Sequence, residues 1–202
     1  MQKILNIPNV DNDNFQRLCQ AYIALLSHWN SIINLVSTRD VDKLLTDLIR
    51  QSVVPLALME VPPGAKMLDI GSGAGIPALP IKFARQDLQV TLLEPRRKKG
   101  LFLRRVTEEM DLTGVEVICD RIEDACDRPD WRGAFDLVTT RGTGPAPRLL
   151  PLIEPLMRAG GAFWAFKGVA GKRELREIRA ISQRPARLVE LEENLSLLVV
   201  DF

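Results

Sequence analysis

The stretch Met67-Leu68-Asp69-Ile70-Gly71-Ser72-Gly73-Ala74-Gly75-Ile76-Pro77 decides the fold of this 202-residue chain. Its first four residues form an apolar strand pattern, its glycines allow a tight turn, and its proline suits the first turn of a helix. A strand, a glycine loop and a helix in this order present free backbone amides at the helix start, where they can bind a ligand. The stretch therefore predicts a ligand-binding loop in an α/β fold.

Beyond this loop, β-rich segments alternate with helical segments. The predicted strands are Lys66–Ile70, 89–94, 115–119, 135–140 and 162–166. The segments between them are long enough for crossover helices, which predicts a mostly parallel sheet. Two further strands, 187–192 and Leu195–Asp201, are separated by a short Glu-Asn turn and predict an antiparallel hairpin at one edge of the sheet.

Before the loop, the sequence has a helical pattern. Apolar residues recur at three- and four-residue spacing from Phe15 to Trp29, and Asp11 or Asn12 can serve as the N-cap. A second helical stretch is predicted over about 41–59, and Pro-Pro-Gly at 62–64 then interrupts the pattern. We expect residues 1–62 to form a helical cap on a core of residues 63–202, within one compact domain.

Composition excludes several classes of protein. A hydrophobic content of 46% and a charged content of 26% are those of a folded domain, and the net charge of +1 gives no overall attraction to polyanions. Three cysteines without a CxxC pair argue against a disulfide framework or a cysteine zinc site. The single histidine, His28, argues against a histidine-based hydrolase, and no metal site is predicted.

Nothing in the sequence indicates a membrane or a secreted protein. The first residues, Met1 to Asn6, lack the apolar segment of a signal peptide, and the longest apolar run, near Val53, is too short to cross a bilayer. We therefore expect a cytoplasmic protein without membrane contact. We also expect it to be a monomer.

An acidic residue about twenty positions after the loop specifies the ligand further. Glu94 ends the next predicted strand beside the loop, where its carboxylate can accept hydrogen bonds from both ribose hydroxyls of an adenosine. The loop has the pattern GxGxG, and Ile76 stands where a dinucleotide-binding GxGxxG loop needs its last glycine. Ile122 and Glu123 follow the third strand and can contact an adenine edge. This combination favours S-adenosyl-L-methionine over NAD as cofactor.

The acceptor side of such a site would use basic residues. Arg141 and Lys167 each end a predicted strand at the same sheet edge and are our candidate catalytic residues, placed to orient an acceptor. A basic segment follows Glu94 and can contact RNA phosphates: Arg96, Arg97, Lys98, Lys99, Arg104 and Arg105. A solvated helix face and a structural ion pair are the alternative interpretations of these charges.

Methyl transfer from a sulfonium depends mainly on proximity and alignment of the two reactants. A guanine N7 has an available lone pair at neutral pH and needs no general base, whereas an alcohol or carbon acceptor does need one. The absence of an obvious base in the sequence therefore favours a nucleophilic nitrogen as the acceptor.

A set of motifs spread over nearly the whole chain resembles one family. The motifs are Leu26-Ser27-His28-Trp29-Asn30 with Asn34-Leu35, the loop 71–77, Lys98-Lys99, Arg121-Ile122-Glu123, Thr140-Arg141 and Phe166-Lys167-Gly168. They are similar to those of the bacterial 16S ribosomal RNA guanine-N7 methyltransferases, also called glucose-inhibited division protein B. The resemblance implies a class I methyltransferase fold, which is a Rossmann-like seven-stranded sheet with an antiparallel last strand and a helical N-terminal cap.

The resemblance also implies site residues. Gly71, Ile76, Ile122, Glu123 and Arg141 match the family's cofactor-contacting positions, whereas Asp69, Gly73, Gly75 and Glu94 are predicted from the loop itself. The chain departs from the family pattern mainly on the acceptor side. The departures are Thr46-Asp47, Arg50-Gln51, Ile76 and Gly142.

These departures leave three functions open. The first is methylation of a guanine N7 in 16S ribosomal RNA by a divergent family member. The second is methylation of a small molecule or a protein, and the third is a non-catalytic binding module on the ribosome.

Overall fold

The computed structural model describes residues 10–36 and 41–202, and its centre is a seven-stranded sheet. The strands are β1 (Lys66–Ile70), β2 (Gln89–Leu93), β3 (Val115–Ile118), β4 (Phe135–Arg141), β5 (Met157–Lys167), β6 (Ala186–Glu192) and β7 (Leu195–Asp201). Their order across the sheet is β3-β2-β1-β4-β5-β7-β6. Strands β1 to β5 are parallel, whereas β7 is antiparallel to both β5 and β6. This confirms the predicted class I methyltransferase fold, including the terminal hairpin.

Eight α-helices accompany the sheet in the described residues. They are α1 (Asn12–Asn30), α2 (Val41–Val53), α3 (Pro55–Leu58), α4 (Ala78–Ala84), α5 (Arg97–Glu109), α6 (Ile122–Ala125), α7 (Ala146–Ile153) and α8 (Gly171–Ile181). Neighbouring β1 residues point to opposite faces, so Met67 and Leu68 belong to separate hydrophobic clusters on the two sides of the sheet. Both side chains are fully buried, as expected for a parallel sheet covered on both faces.

The helical stretch predicted over residues 41–59 consists of two helices, because α2 ends at Val53 and the short α3 begins at Pro55. Proline has no backbone N–H, so residue 55 cannot donate to the carbonyl of Gln51. Of the two capping residues predicted for α1, Asp11 is the N-cap: its carboxylate accepts from the backbone N–H of Asn14 at 3.2 Å, and the helix begins at Asn12.

Strand β5 begins five residues before its predicted start at Ala162, at Met157. The added segment contains adjacent glycines that carry no strand signal in sequence. A Cβ at Gly161 would lie 2.9 Å from the backbone oxygen of Asp136 on β4. Glycine is therefore needed there because the two strands approach closely, which the sequence pattern does not reveal.

The described part of the predicted cap packs on α4 and α5. Tyr22 of α1 meets the ring of Phe83 edge-on, with centroids 5.6 Å apart, and Trp29 lies 6.0 Å from Phe102. The division into residues 1–62 and 63–202 stays a prediction. The N-terminal residues on which the prediction of a cytoplasmic protein depended lie outside the described residues.

None of the helices in the described ranges has the length and apolar character that a membrane span needs.

Candidate active site

A cavity of about 630 Å³ lies at the carboxyl edge of the sheet. It is lined by the ends of β1, β2 and β4, by the segment after β3, and by Leu35, Val36 and Leu48 of the cap. Strands β1 and β4 are neighbours although β2 and β3 intervene in sequence, so the strand order reverses at this point. Ligands of open α/β sheets bind at such switch points, and the volume is that of a small-molecule site.

The glycine loop forms the floor of this cavity. Its backbone is fixed to the neighbouring strand, because the N–H groups of Gly71 and Ser72 both donate to the carbonyl of Leu93, at 2.8 and 3.1 Å. Gly71 has φ +70°, and a Cβ there would lie 2.3 Å from Oγ1 of Thr143. Thr143 in turn donates to the carbonyl of Ile70 at 2.8 Å. The position therefore requires glycine both for conformation and for space.

Gly75 has a different role from the one predicted. It does not line the cavity, and a Cβ there would lie 2.4 Å from Cδ1 of Leu79 in α4. Its φ of +91° also requires glycine. Gly75 therefore allows α4 to pack against the loop, whereas Gly71, Gly73 and Ile76 line the cavity as predicted cofactor contacts.

Glu94 holds the loop from the side of β2. Its side chain is only 4% exposed, and its Oε2 accepts from the backbone N–H of Gly73 at 2.7 Å. The other oxygen, Oε1, accepts from the backbone N–H of Arg96 at 2.9 Å. A carboxylate has about four acceptor positions, so two remain for hydroxyl groups of a ligand in the cavity.

The segment after β3 forms the next part of the wall. Ile122 and Glu123, which we predicted as cofactor contacts, both line the cavity, together with Asp120 and Arg121. Ile122 is 5% exposed and provides an apolar surface, whereas the flanking groups are polar. An apolar contact bordered by hydrogen-bonding groups suits the face and edge of a flat heterocycle.

Arg141 ends β4 on the opposite side of the glycine loop. Its Nη2 donates to Oε1 of Gln51 at 2.7 Å, and its guanidinium lies 5.8 Å from the ring centroid of Phe166. Its Nη1 is buried and has no hydrogen-bond partner among the described residues. Burial lowers the pKa of Arg141, and the nearby carboxylate of Glu192 opposes this shift. Because Arg141 lines the cavity and Nη1 has no partner within the described part of the chain, its guanidinium is the candidate donor for an anionic or carbonyl oxygen of a ligand.

Lys167, which we predicted to orient an acceptor, does not line the cavity. Its Nζ lies 3.0 Å from Oε2 of Glu174 and donates to the carbonyl of Gly144 at 2.7 Å. The same Glu174 oxygen accepts from the backbone N–H of Ala146. Both charged side chains are less than a tenth exposed. Lys167 therefore holds the segment after β4 in place through a buried ion pair.

Asp69 also lies outside the cavity, although we predicted it as a cofactor contact. Its carboxylate is buried beneath the loop, where Oδ1 accepts from the hydroxyl of Thr139 at 2.6 Å. Its Oδ2 has no partner among the described residues. Burial raises the pKa of Asp69 to about 6, although the hydrogen bond from Thr139 acts in the opposite direction.

The raised pKa of Asp69 predicts how stability changes with pH. The folded protein binds a proton at Asp69 more tightly than the unfolded chain, so the free energy of unfolding should fall as the pH rises from about 4 to about 6. A difference of about two pK units limits the loss to about 3 kcal/mol. Asp69→Asn should remove this dependence, as measured by urea unfolding across that range.

Asp87 provides the control. Its pKa is held at about 2, first by the hydrogen bond from Arg85, so it stays ionised over the same range in the folded protein. Asp87→Asn should leave the slope unchanged between about pH 4 and about pH 6. Equal slopes in the wild type and Asp69→Asn would contradict the prediction.

The basic residues after Glu94 differ in exposure and in their partners. Arg96, Arg97 and Lys98 are exposed, and no carboxylate of the described residues forms an ion pair with them. Arg96 and Lys99 also line the cavity. By contrast, the Arg105 guanidinium pairs with Glu109, and Arg104 donates towards the carbonyl of Val117. The first turn of α5 thus offers the free charges at the rim.

Several residues of the site were not singled out from the sequence as site residues. Thr143 packs against Gly71, and Gln51 bonds to Arg141, but each carries a common polar side chain without a motif. Tyr22 of the cap donates to the carbonyl of Ala74 at 2.5 Å and so supports the loop from below. Their roles depend on contacts between residues far apart in sequence.

Comparison with known proteins identifies the family. Residues 15–192 match the family model described as rRNA small subunit methyltransferase G. The chain belongs to this family. The proteins named ribosomal RNA small subunit methyltransferase G from Moorella thermoacetica and Sorangium cellulosum are 36% and 40% identical to it, over 78% and 77% of its length. Membership confirms the family and the cofactor, S-adenosyl-L-methionine, that the sequence predicted.

The aligned stretch spans 66% and 65% of the length of these two relatives, which is about two thirds. Solved structures agree on the fold at much lower identity. A SAM dependent methyltransferase from Aquifex aeolicus has a TM-score of 0.59 at 14% identity, covering 80% of this chain and 89% of its own. A ribosomal protein L11 methylase from Lactobacillus delbrueckii has a TM-score of 0.61 at 13% identity, covering 76% and 77%.

Proposed function

We propose that this chain transfers the methyl group of S-adenosyl-L-methionine to a guanine N7 of 16S ribosomal RNA. The observation that carries the proposal is the cavity, where residues matching the family pattern come together at the switch point of the sheet. Gly71, Ile76, Ile122, Glu123 and Arg141 come from three separate parts of the chain and line one space.

The order of the strands gives an orientation for the cofactor in this proposal. The sheet runs β3-β2-β1-β4, so the cavity wall runs from Ile122 past Glu94 and the glycine loop to Arg141. Ile122 suits adenine, and Glu94 suits the ribose hydroxyls. The methionine end then lies towards Arg141, whose free Nη1 can donate to a carboxylate.

The chemistry requires little more from the protein. The cofactor supplies an electrophilic methyl group, and Arg141 and the loop hold the reactants in line. Among the described residues that line the cavity there is no histidine, cysteine or tyrosine. Its carboxylates, Glu94, Asp120 and Glu123, lie on the β2 and β3 side, away from Arg141. This arrangement suits an acceptor nitrogen that needs no deprotonation.

The RNA would approach along the start of α5. Arg96, Arg97 and Lys98 are exposed beside the cavity and can contact phosphates, whereas Arg104 and Arg105 form contacts within the protein.

We propose a monomer that acts in the cytoplasm, where small ribosomal subunits are found. We also propose residues 1–62 as a cap over the core 63–202, because Leu35, Val36 and Leu48 of this segment close one side of the cavity.

A transfer assay with labelled S-adenosyl-L-methionine tests the function. Small subunits and naked 16S ribosomal RNA, both from cells lacking the protein, should be compared as acceptors, and the modified base should be mapped by mass spectrometry. We expect label in a single guanine. Methylation at N7 places a positive charge on the guanine ring, so the ring can be reduced by borohydride and the strand then cleaved at that nucleotide, which is diagnostic of the N7 position. Label in a protein or small-molecule fraction would instead indicate the second candidate function.

Two variants make the result specific. Glu94→Gln should strongly reduce incorporation at limiting S-adenosyl-L-methionine, because it weakens binding of the cofactor. Replacing Arg97 and Lys98 together by Glu should weaken RNA binding while leaving binding of S-adenosylhomocysteine unchanged, because these side chains are exposed at the rim. Lys172→Glu, an equally exposed change on α8, is the matched control. If the wild type binds no S-adenosylhomocysteine in calorimetry, a non-catalytic binding module is the better interpretation.

A further inference from the structure

The guanidinium of Arg141 is held by a side-chain network that joins three separated elements. Gln51 of α2 accepts from Nη2 of Arg141 at 2.7 Å and donates through its own Nε2 to Oε2 of Glu192 at 2.9 Å. Glu192 ends β6, and its other oxygen forms an ion pair with Arg50 of α2. The cap, the strand β4 and the terminal hairpin are thereby connected beside the cavity.

Each polar atom in this network has a defined role as hydrogen-bond donor or acceptor. The amide of Gln51 must present its oxygen to Arg141, because its nitrogen faces the carboxylate of Glu192. Burial acts to raise the pKa of Glu192, but hydrogen bonds from Arg50 and Gln51 outweigh it, and the pKa lies below the usual value. Glu192 is therefore ionised at neutral pH and fixes the orientation of the Gln51 amide.

The consequence for Arg141, which lines the cavity, is that one of its nitrogens is bound and the other has no partner among the described residues. Nη2 donates to Gln51, and the guanidinium lies over the ring of Phe166, so a hydrogen bond and a ring contact together restrict the orientation of the group. Nη1 remains buried and without a partner among the described residues. An arginine without these contacts would lose side-chain entropy on binding a ligand.

We propose that Gln51 and Glu192 are positioning residues, which orient Arg141 so that its Nη1 meets the carboxylate at the methionine end of the cofactor. This inference rests on the proposed function, since it assigns that end of the cofactor to Arg141. Neither side chain touches the cofactor itself. Both act by holding the guanidinium in its binding orientation before the ligand arrives.

Calorimetry with two ligands tests the proposal. S-adenosylhomocysteine has the amino-acid carboxylate, whereas 5′-methylthioadenosine lacks it. We expect Gln51→Leu, which keeps the size but removes both polar atoms, to weaken binding of S-adenosylhomocysteine about tenfold and to leave 5′-methylthioadenosine within about twofold. Glu192→Gln, a milder change, should weaken the first ligand by about threefold and spare the second.

Further variants separate positioning from general stability. Arg141→Gln should lose affinity for S-adenosylhomocysteine, and adding Gln51→Leu to it should cause little further loss, because the two act on one interaction. Arg187→Gln is the matched control, since it breaks an ion pair with Asp201 in the same hairpin and should not change either affinity. The melting temperature of each variant shows that it is folded.

The outcomes distinguish this inference from the proposed function. Weakening of both ligands to the same extent by Gln51→Leu, or of neither, would overturn the inference while leaving the function in place. Additive losses from Arg141→Gln and Gln51→Leu would also overturn it. A wild-type protein that binds neither ligand would overturn both.

Discussion

Glu94→Gln should weaken binding of S-adenosylhomocysteine about 100-fold, the largest effect that we expect from a change of one functional group. The carboxylate accepts from the N–H groups of Gly73 and Arg96 and, in our proposal, from both ribose hydroxyls. An amide can accept through one atom only, so its NH₂ group must face a backbone donor. Losing charge-assisted hydrogen bonds of about 1.5 to 3 kcal/mol each accounts for the expected change.

Calorimetry with two ligands gives this prediction its specificity. Since Glu94 is assigned to the ribose, 5′-methylthioadenosine should weaken as strongly as S-adenosylhomocysteine, unlike the selective effect expected of Gln51→Leu. Glu116→Gln is the control for the same chemical change, because Glu116 is exposed on β3 and lies outside the cavity. A wild-type affinity in Glu94→Gln would show that the carboxylate does not contact the cofactor.

Gly71→Ala should both destabilise the fold and abolish measurable cofactor binding. A Cβ at this position would lie 2.3 Å from Oγ1 and 2.6 Å from Cγ2 of Thr143, and the φ of +70° disfavours any residue with a Cβ. Backbone strain of about 1–2 kcal/mol and overpacking of about 1–3 kcal/mol should lower the free energy of unfolding by about 2–5 kcal/mol. Urea unfolding measures the first effect and calorimetry the second.

Gly133→Ala separates strain from collision. Gly133 has a similar φ of +59°, but a Cβ there would meet nothing within 4 Å, and it precedes β4 at the sheet edge opposite the cavity. It should show the backbone cost alone, with normal cofactor binding. Adding Thr143→Ala to Gly71→Ala should restore part of the lost stability, because it removes both of the closest atoms. No recovery in this double variant would contradict the proposed collision.

Most residues that the sequence predicted for the cofactor side line the cavity, because their signals are local, whereas Asp69 and Gly75 do not line it. The glycine loop, Glu94 and the Ile122-Glu123 pair each follow a strand within a few residues, and parallel strands bring their carboxyl ends to one edge. The period of two in the strands and the Glu-Asn turn likewise predicted the terminal hairpin. Only strand ends were misplaced, as for β5, where the glycines before Ala162 carry no pattern.

Lys167 and Asp69 show where this reasoning stops. Both stand at or near strand ends, and a strand pattern cannot tell whether such a side chain enters a cavity or the interior. Lys167 turns to Glu174 of α8, and Asp69 lies beneath the loop against Thr139 of β4. Each partner comes from a distant segment of the chain, which a strand pattern does not reveal.

The departures from the family pattern are likewise visible in the sequence, but their contacts are visible only in the structure. The sequence shows that Arg50 and Gln51 depart from the family pattern. Their contacts with Glu192, which lies about 140 residues away in the chain, are visible only in the structure. The sequence by itself determined the sheet, the glycine loop and the carboxylate beside it, because periodicity and turn chemistry act between near neighbours. Only the tertiary structure decided which charged groups reach the cavity and which are paired beneath it, since packing of α2, α8 and the hairpin sets those contacts.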